Sequence, residues 1–171
     1  LTDYASNDAN AETNDATITE GYYRLMNCMY KTYMTNGADN ALWGNVSVSD
    51  ALAKAGTIVK VVAAGDNYKL LVQGLEVGQV SQSAHVGLVE DGVTFTITPT
   101  NNKFVFEAVG EGNYRCLHQD AGQKVVGWEA PAAASKWYVV PATTLDVNLN
   151  KAGDKTYATT YLPFDVTLPA D

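Results

Sequence analysis

His85 and His118 are the chain's two histidines, and Cys28 and Cys116 its two cysteines. These four side chains hold most of the capacity for nucleophilic, general-base and metal chemistry. Nucleophilic catalysis needs a Ser or Cys held against an imidazole, and no signature joins either histidine to such a partner. Neither Cys-x-x-Cys nor His-Glu-x-x-His spacing occurs, and glycine-rich phosphate loops are missing. Nineteen acids leave a carboxylate pair for sugar hydrolysis open, but no spacing favours one. The expectation is a non-catalytic chain without metal or cofactor. The cysteines, 88 residues apart, read as two buried thiols rather than a bridge. What remains is aromatic: 3 Trp, 10 Tyr and 4 Phe. A flat ring can plug a core or face a ligand, and strand spacing decides which.

At 171 residues with 46% hydrophobic content, the chain is long and apolar enough for one cored domain. Abundant Tyr, Val and Thr lean it toward β structure. No apolar run reaches the ~18 residues that cross a bilayer as a helix. The net charge of −8 is uneven: residues 1–20 carry −5, residues 21–142 carry −1 and residues 143–171 carry −2. A nearly neutral body without a basic stripe argues against nucleic acid as a partner. Residues 1–20 read as an acidic, solvated leader. It lacks the basic start and apolar stretch of a secretory signal, so any signal is expected to have been removed.

Internal repetition organises the rest. Gly21–Met26, Asn67–Val72 and Lys103–Glu107 read as three opening strands. Thr57–Ala64, Val93–Pro99 and Ser135–Pro141 read as three closing strands. Tyr23, Tyr68 and Phe104 recur at intervals of 45 and 36 residues, and Val59, Phe95 and Trp137 at 36 and 42. Three units of roughly forty residues, about 21–65, 66–101 and 102–142, follow. Period-two alternation turns Tyr23, Leu25, Val59, Val61, Tyr68, Leu70, Val72, Phe95, Ile97, Phe104, Phe106, Trp137 and Val139 inward. Trp137 is thus a core plug, with Tyr138 pointing out of the barrel. Arg24, Lys60, Lys69 and Lys136 take the opposite parity, where a charge can reach water. Six such strands would close a barrel without exposed edges.

Each unit has room for one further hairpin. In unit one, Lys31–Thr35 turns through Asn36-Gly37 toward Ala41–Val46. In unit two the pair is Leu75–Val80 and His85–Val89, and in unit three Tyr114–Gln119 and Lys124–Glu129. The one helical signal, Ser49–Gly56 with a capping Ser, is short enough for a turn or two.

Three four-stranded units around a six-stranded barrel make an all-β protein, a β-trefoil. Its third unit resembles the ricin-B-lectin-like branch of that fold. Ser135-Lys136-Trp137 stands where that family has Gln-x-Trp, Cys116-Leu117-His118 resembles its Cys-Leu-Asp, and Val126-Gly127-Trp128 its aromatic-bearing third strand. The resemblance covers about 120 residues, better in unit three than in unit one and poorest in unit two. It implies shallow glycan sites in which a ring stacks on sugar and an Asp and an amide complete the contacts. Carried over, the ring is Trp128 with Glu129, Gln119 or Asp120 in unit three, and Trp43 with Asn45 in unit one. The family's Asp position holds His118 in unit three and Thr35 in unit one, and Gln79 is nearest to it in unit two. For Trp43 and Trp128 the first reading is a partly buried ring packed between hairpin and barrel, with a ligand-facing ring as the alternative.

After Thr144, Lys155–Tyr161 and Phe164–Leu168 read as two further strands, possible beginnings of another β module. Their Tyr-Ala-Thr-x-Tyr-Leu-Pro-Phe-x-Val pattern resembles β modules that follow trefoil-like units in surface proteins of gut bacteria, which implies neighbouring β domains. Two functions stay open. One is a non-catalytic, glycan-binding module of a secreted or cell-surface protein. The other is a structural or protein-contact module with no small-molecule ligand.

Overall fold

A computed structural model describes residues 18–142. The expected strands beyond Thr144 and most of the leader lie outside the described residues. Twelve strands follow in chain order, four to a unit. Unit one holds β1 (Gly21–Asn27), β2 (Tyr33–Asn36), β3 (Leu42–Val46) and β4 (Val59–Ala64). Unit two holds β5 (Asn67–Val72), β6 (Leu75–Val77), β7 (Leu88–Val89) and β8 (Phe95–Thr100). Unit three holds β9 (Lys103–Ala108), β10 (Cys116–Gln119), β11 (Val125–Trp128) and β12 (Trp137–Pro141).

The first and last strand of each unit pair antiparallel in the cyclic order β1-β4-β5-β8-β9-β12 and back to β1, which closes a six-stranded barrel. Closure leaves no barrel edge to pair with another chain. This is the β-trefoil. Alternation along each strand sends one parity inward, and Leu25, Val59, Val61, Leu70, Val72, Phe95, Phe104, Phe106, Trp137 and Val139 form its core. Tyr23, Tyr68 and Ile97 pack against that core half-buried. Trp137 is fully buried, and its indole Nε1 donates to Leu117 O at 2.9 Å.

The outer parity behaves less simply. Arg24 does not reach water: it is fully buried, with Nε donating to Thr57 Oγ1 at 3.0 Å. The helical signal of Ser49–Gly56 resolves into two single 3-10 turns, Ala51–Ala53 and Ala55–Thr57, followed by β4. Ser47 rather than Ser49 bonds the first of them, its Oγ accepting from Asp50 N at 3.2 Å. Ala51 and Leu52 from these turns join Met26, Tyr33, Val46, Tyr138 and Val140 in a second apolar cluster. Tyr138 therefore points out of the barrel but is buried all the same. Of the leader's described residues, Thr19 and Glu20 are exposed as expected, whereas Ile18 sits in the main core, and the Glu20 carboxylate accepts from Ala63 N at 2.7 Å.

The three hairpins meet over one end of the barrel. Bridges Ala41↔Gly87, Trp43↔Lys124 and His85↔Val126 have registers that set Leu42, Val86 and Val125 opposite one another pairwise. All three are fully buried, and Leu42 N donates to Val86 O at 2.9 Å and Val86 N to Val125 O at 2.8 Å. That triangle is the molecule's pseudo-threefold hub.

Candidate functional site

Register defines which residues correspond between units. The opening strand meets the hairpin at Met26↔Tyr33, Leu71↔Glu76 and Glu107↔Cys116. Across the hairpin, Tyr33 faces Val46, Glu76 faces Val89 and Cys116 faces Trp128. Trp128 therefore corresponds to Val46 and Val89. Trp43 is not its counterpart, since it follows the hub residue Leu42 as Val126 follows Val125. One extra residue in β3, where the register shifts between Tyr33 and Thr35, hides this offset in the sequence.

At these matched positions unit three is open. A groove of about 310 Å³ is lined by Glu107, Asn113, Tyr114, Arg115, Trp128 and Glu129 over the floor residue Cys116. Both cysteines are free thiols, and burial pushes that of Cys116 up to about 11. The ring of Tyr114 lies 5.1 Å from that of Trp128 at 42°, a tilted pair that presents adjoining apolar faces.

Tyr114 was expected to start a strand, but β10 begins at Cys116 and Tyr114 sits in the loop before it with φ 63°. The corresponding residues Lys31 and Gly74 also have positive φ, 57° and 82°. The fold thus demands a left-handed residue here. Glycine meets that demand freely, whereas a side chain costs about 1–2 kcal/mol. Unit three carries tyrosine at that cost, and its ring reaches Trp128. The loop is held by Arg115, whose Nε donates to Gly112 O at 2.7 Å, Nη2 to Glu107 Oε1 at 3.1 Å and Nη1 to Ala108 O.

The other expected site residues scatter. Gln119 is fully buried, its Nε2 donating to Gly44 O at 2.8 Å and Thr32 Oγ1 at 3.2 Å, so it cross-links hairpins of units one and three rather than facing a ligand. Asp120 closes the hairpin turn, with Oδ1 accepting from Lys124 N at 2.9 Å. Trp43 is half-buried in an edge-on contact with His85, centroids 4.8 Å apart. His85 is held by Leu42 O at 2.7 Å. Asn45 is exposed beside the extra β3 residue.

His118 flanks Trp128, centroids 6.0 Å apart. Its Nδ1 lies 2.9 Å from Ser135 Oγ, and that hydroxyl donates to Glu129 O at 2.7 Å. One hydroxyl proton cannot serve both bonds, so Nδ1 carries the proton and donates. Burial holds the imidazole below its ordinary value, against the opposing pull of Asp120 and Glu129. His118 and Ser135 are the two positions where unit three departs from the ricin-B-like pattern, and they bond each other. The pair ties β10 to the segment that carries Glu129.

Barrel and hairpins together define a β-trefoil architecture. No family model and no curated protein matches the sequence. Among solved structures, the Rhizoctonia solani agglutinin is similar at TM-score 0.62 and 18% identity, over 74% of this chain and 98% of that one. The Macrolepiota procera ricin B-like lectin, solved with lactose, is similar at 0.60 and 17%, over 74% and 99%. SeviL bound to asialo-GM1 saccharide is similar at 0.55 and 10%, over 72% and 99%. These likenesses establish the ricin-B-like β-trefoil fold. They give no support to a gut-bacterial setting.

Proposed function

We propose that this chain is a non-catalytic, glycan-binding module of a secreted or cell-surface protein, with its site in the groove of unit three. The observation that carries this reading is the Tyr114–Trp128 ring pair beside Glu129 and Asn113. Sugars present C–H faces that stack on rings, while their hydroxyls need donors and acceptors at the rim. Glu129 and Asn113 supply those at the groove wall. The groove is at the small end of the ~300–1,000 Å³ typical of ligand sites, as a short glycan terminus requires. The lectin-like neighbours support the reading, and no helix among the described residues is long and apolar enough to cross a membrane.

Tryptophan emission titrated with a panel of glycans tests it. Trp128→Ala is expected to abolish the response and Trp43→Ala to preserve it. A response that survives Trp128→Ala would move the site elsewhere. Silence across a broad panel would leave the module with a structural or protein-contact role.

A further inference from the structure

The groove's charges narrow the class of sugar, on the reading that a glycan binds there. Three charged side chains line it, Glu107, Arg115 and Glu129. Arg115 is the one cation among them, and three of its N–H groups are engaged by Gly112 O, Ala108 O and Glu107. Its side chain is about one-fifth exposed, and its charge is matched by the Glu107 carboxylate at 3.1 Å. Arg115 therefore staples the loop and offers an incoming anion little. Glu129 is exposed at the rim, and no ion pair engages it among the described residues. The net charge presented to a ligand is negative, set beside two aromatic faces.

We propose that the groove selects glycans by charge, binding sugars with a protonated amino group ahead of their N-acetylated counterparts and turning acidic sugars away, with Glu129 as the specificity-determining residue. An ammonium gains twice here, from the Glu129 carboxylate and from the electron-rich face of Trp128 or Tyr114. A uronate or sulfate would meet Glu129 with no uncommitted cation to offset the repulsion. An N-acetyl group keeps the stacking and loses the charge.

The test is calorimetry on the full chain at about pH 6, where a sugar amine is charged. Three oligosaccharides of equal length are compared: a glucosamine oligomer, its N-acetylated form and an oligouronate. The glucosamine oligomer is expected to bind about fivefold tighter than the N-acetylated one, a ratio that added salt reduces. Glu129→Gln should cut that ratio to about twofold or less, the part the ring faces supply, and Trp128→Ala should remove amine binding. Binding of the amine that survives Trp128→Ala would assign it to the chain's general acidity and overturn the proposal. So would an N-acetylated or acidic sugar that binds the native protein as tightly, or a preference that persists undiminished in Glu129→Gln. In the last two cases the glycan site itself stands. If none of the three sugars binds, the amine preference is overturned, and the broad glycan panel decides the glycan reading.

Discussion

Units one and three enclose the same space and treat it in opposite ways. In unit one, Met26, Tyr33 and Val46 fill it, and Ala51 and Leu52 from the residue 47–58 connection cover it. In unit three the matched residues are Glu107, Cys116 and Trp128, and the space is a groove. Unit two closes its version with charge: Lys69 bridges Glu76 at 2.7 Å, and Gly92 N donates to the same carboxylate at 2.7 Å. The trefoil supplies one location three times. Side-chain volume and charge at two or three positions then decide whether that location becomes core, ion pair or groove.

The sharpest way to break this comparison is to remove one ring from each side. Tyr33 is fully buried, so Tyr33→Ala is expected to destabilise the fold by about 3–5 kcal/mol. Trp128 is partly buried, and Trp128→Ala is expected to cost clearly less than Tyr33→Ala, about 1–2 kcal/mol, while removing binding. Urea unfolding measures both. Equal losses would mean that Trp128 is a packing residue like Tyr33.

Next come the matched glycines at the hairpin backs. A Cβ on Gly127 would overlap Ser81 O and Tyr114 O, both backbone atoms that cannot yield without moving a strand and the groove loop. Gly127→Ala is expected to cost about 3 kcal/mol and to impair binding with it. On Gly44 the Cβ would overlap the Gln119 side chain instead. Gln119 can swing away, losing its bond to Gly44 O, so Gly44→Ala is expected to cost about 1–2 kcal/mol and leave binding intact. A larger loss at Gly44 would show that the Gln119 cross-link outweighs the backbone constraint in unit three.

Tyr114→Gly separates stability from function within unit three. Relief of the left-handed backbone offsets much of the lost ring contact, so stability should move by less than about 1 kcal/mol. Binding should fall about tenfold or more, as expected for losing one of two stacking faces. A stability loss above 2 kcal/mol with unchanged binding would make Tyr114 structural.

The sequence disclosed the barrel more fully than the groove, for physical reasons. Barrel strands alternate with period two and recur three times, so Trp137, Phe95 and Val59 identify one another as a single inward position. Arg24 escaped the same logic because its hydrogen-bond partner Thr57 lies 33 residues away, which no local pattern reports. Trp128 and Glu129 could be singled out because they sit on a hairpin with a motif around it. Tyr114 was concealed by its own identity, since tyrosine favours strands and rarely adopts positive φ. The available signal was Gly74, the matched residue in unit two, but reading it requires the register. Gln119 looked like a ligand amide because its partners, Thr32 and Gly44, lie 87 and 75 residues away.

The smallest expected effect distinguishes His118 from Thr35, which occupies the same position in unit one. Burial lowers the folded-state value of His118 from 6.5, so below that pH the unfolded chain takes up the proton more readily than the folded one. Its contribution is therefore fully present above about pH 6.5 and is lost as pH falls through the lower folded value. His118 is partly exposed, and solvent screening should keep the loss below about 1 kcal/mol. The relay explains why it stays small. Nδ1 already donates to Ser135, so the incoming proton goes to Nε2 and the bonds to Ser135 and Glu129 survive. His118→Thr should flatten the stability profile between pH 5 and 7, a range set by the ordinary His value. Nitrogen NMR of the neutral ring should show Nδ1–H. An Nε2–H tautomer would instead have Ser135 donating to Nδ1, leaving Glu129 O without that donor, and acid would then turn the hydroxyl back toward Glu129 O; that result would overturn Nδ1 as the donor.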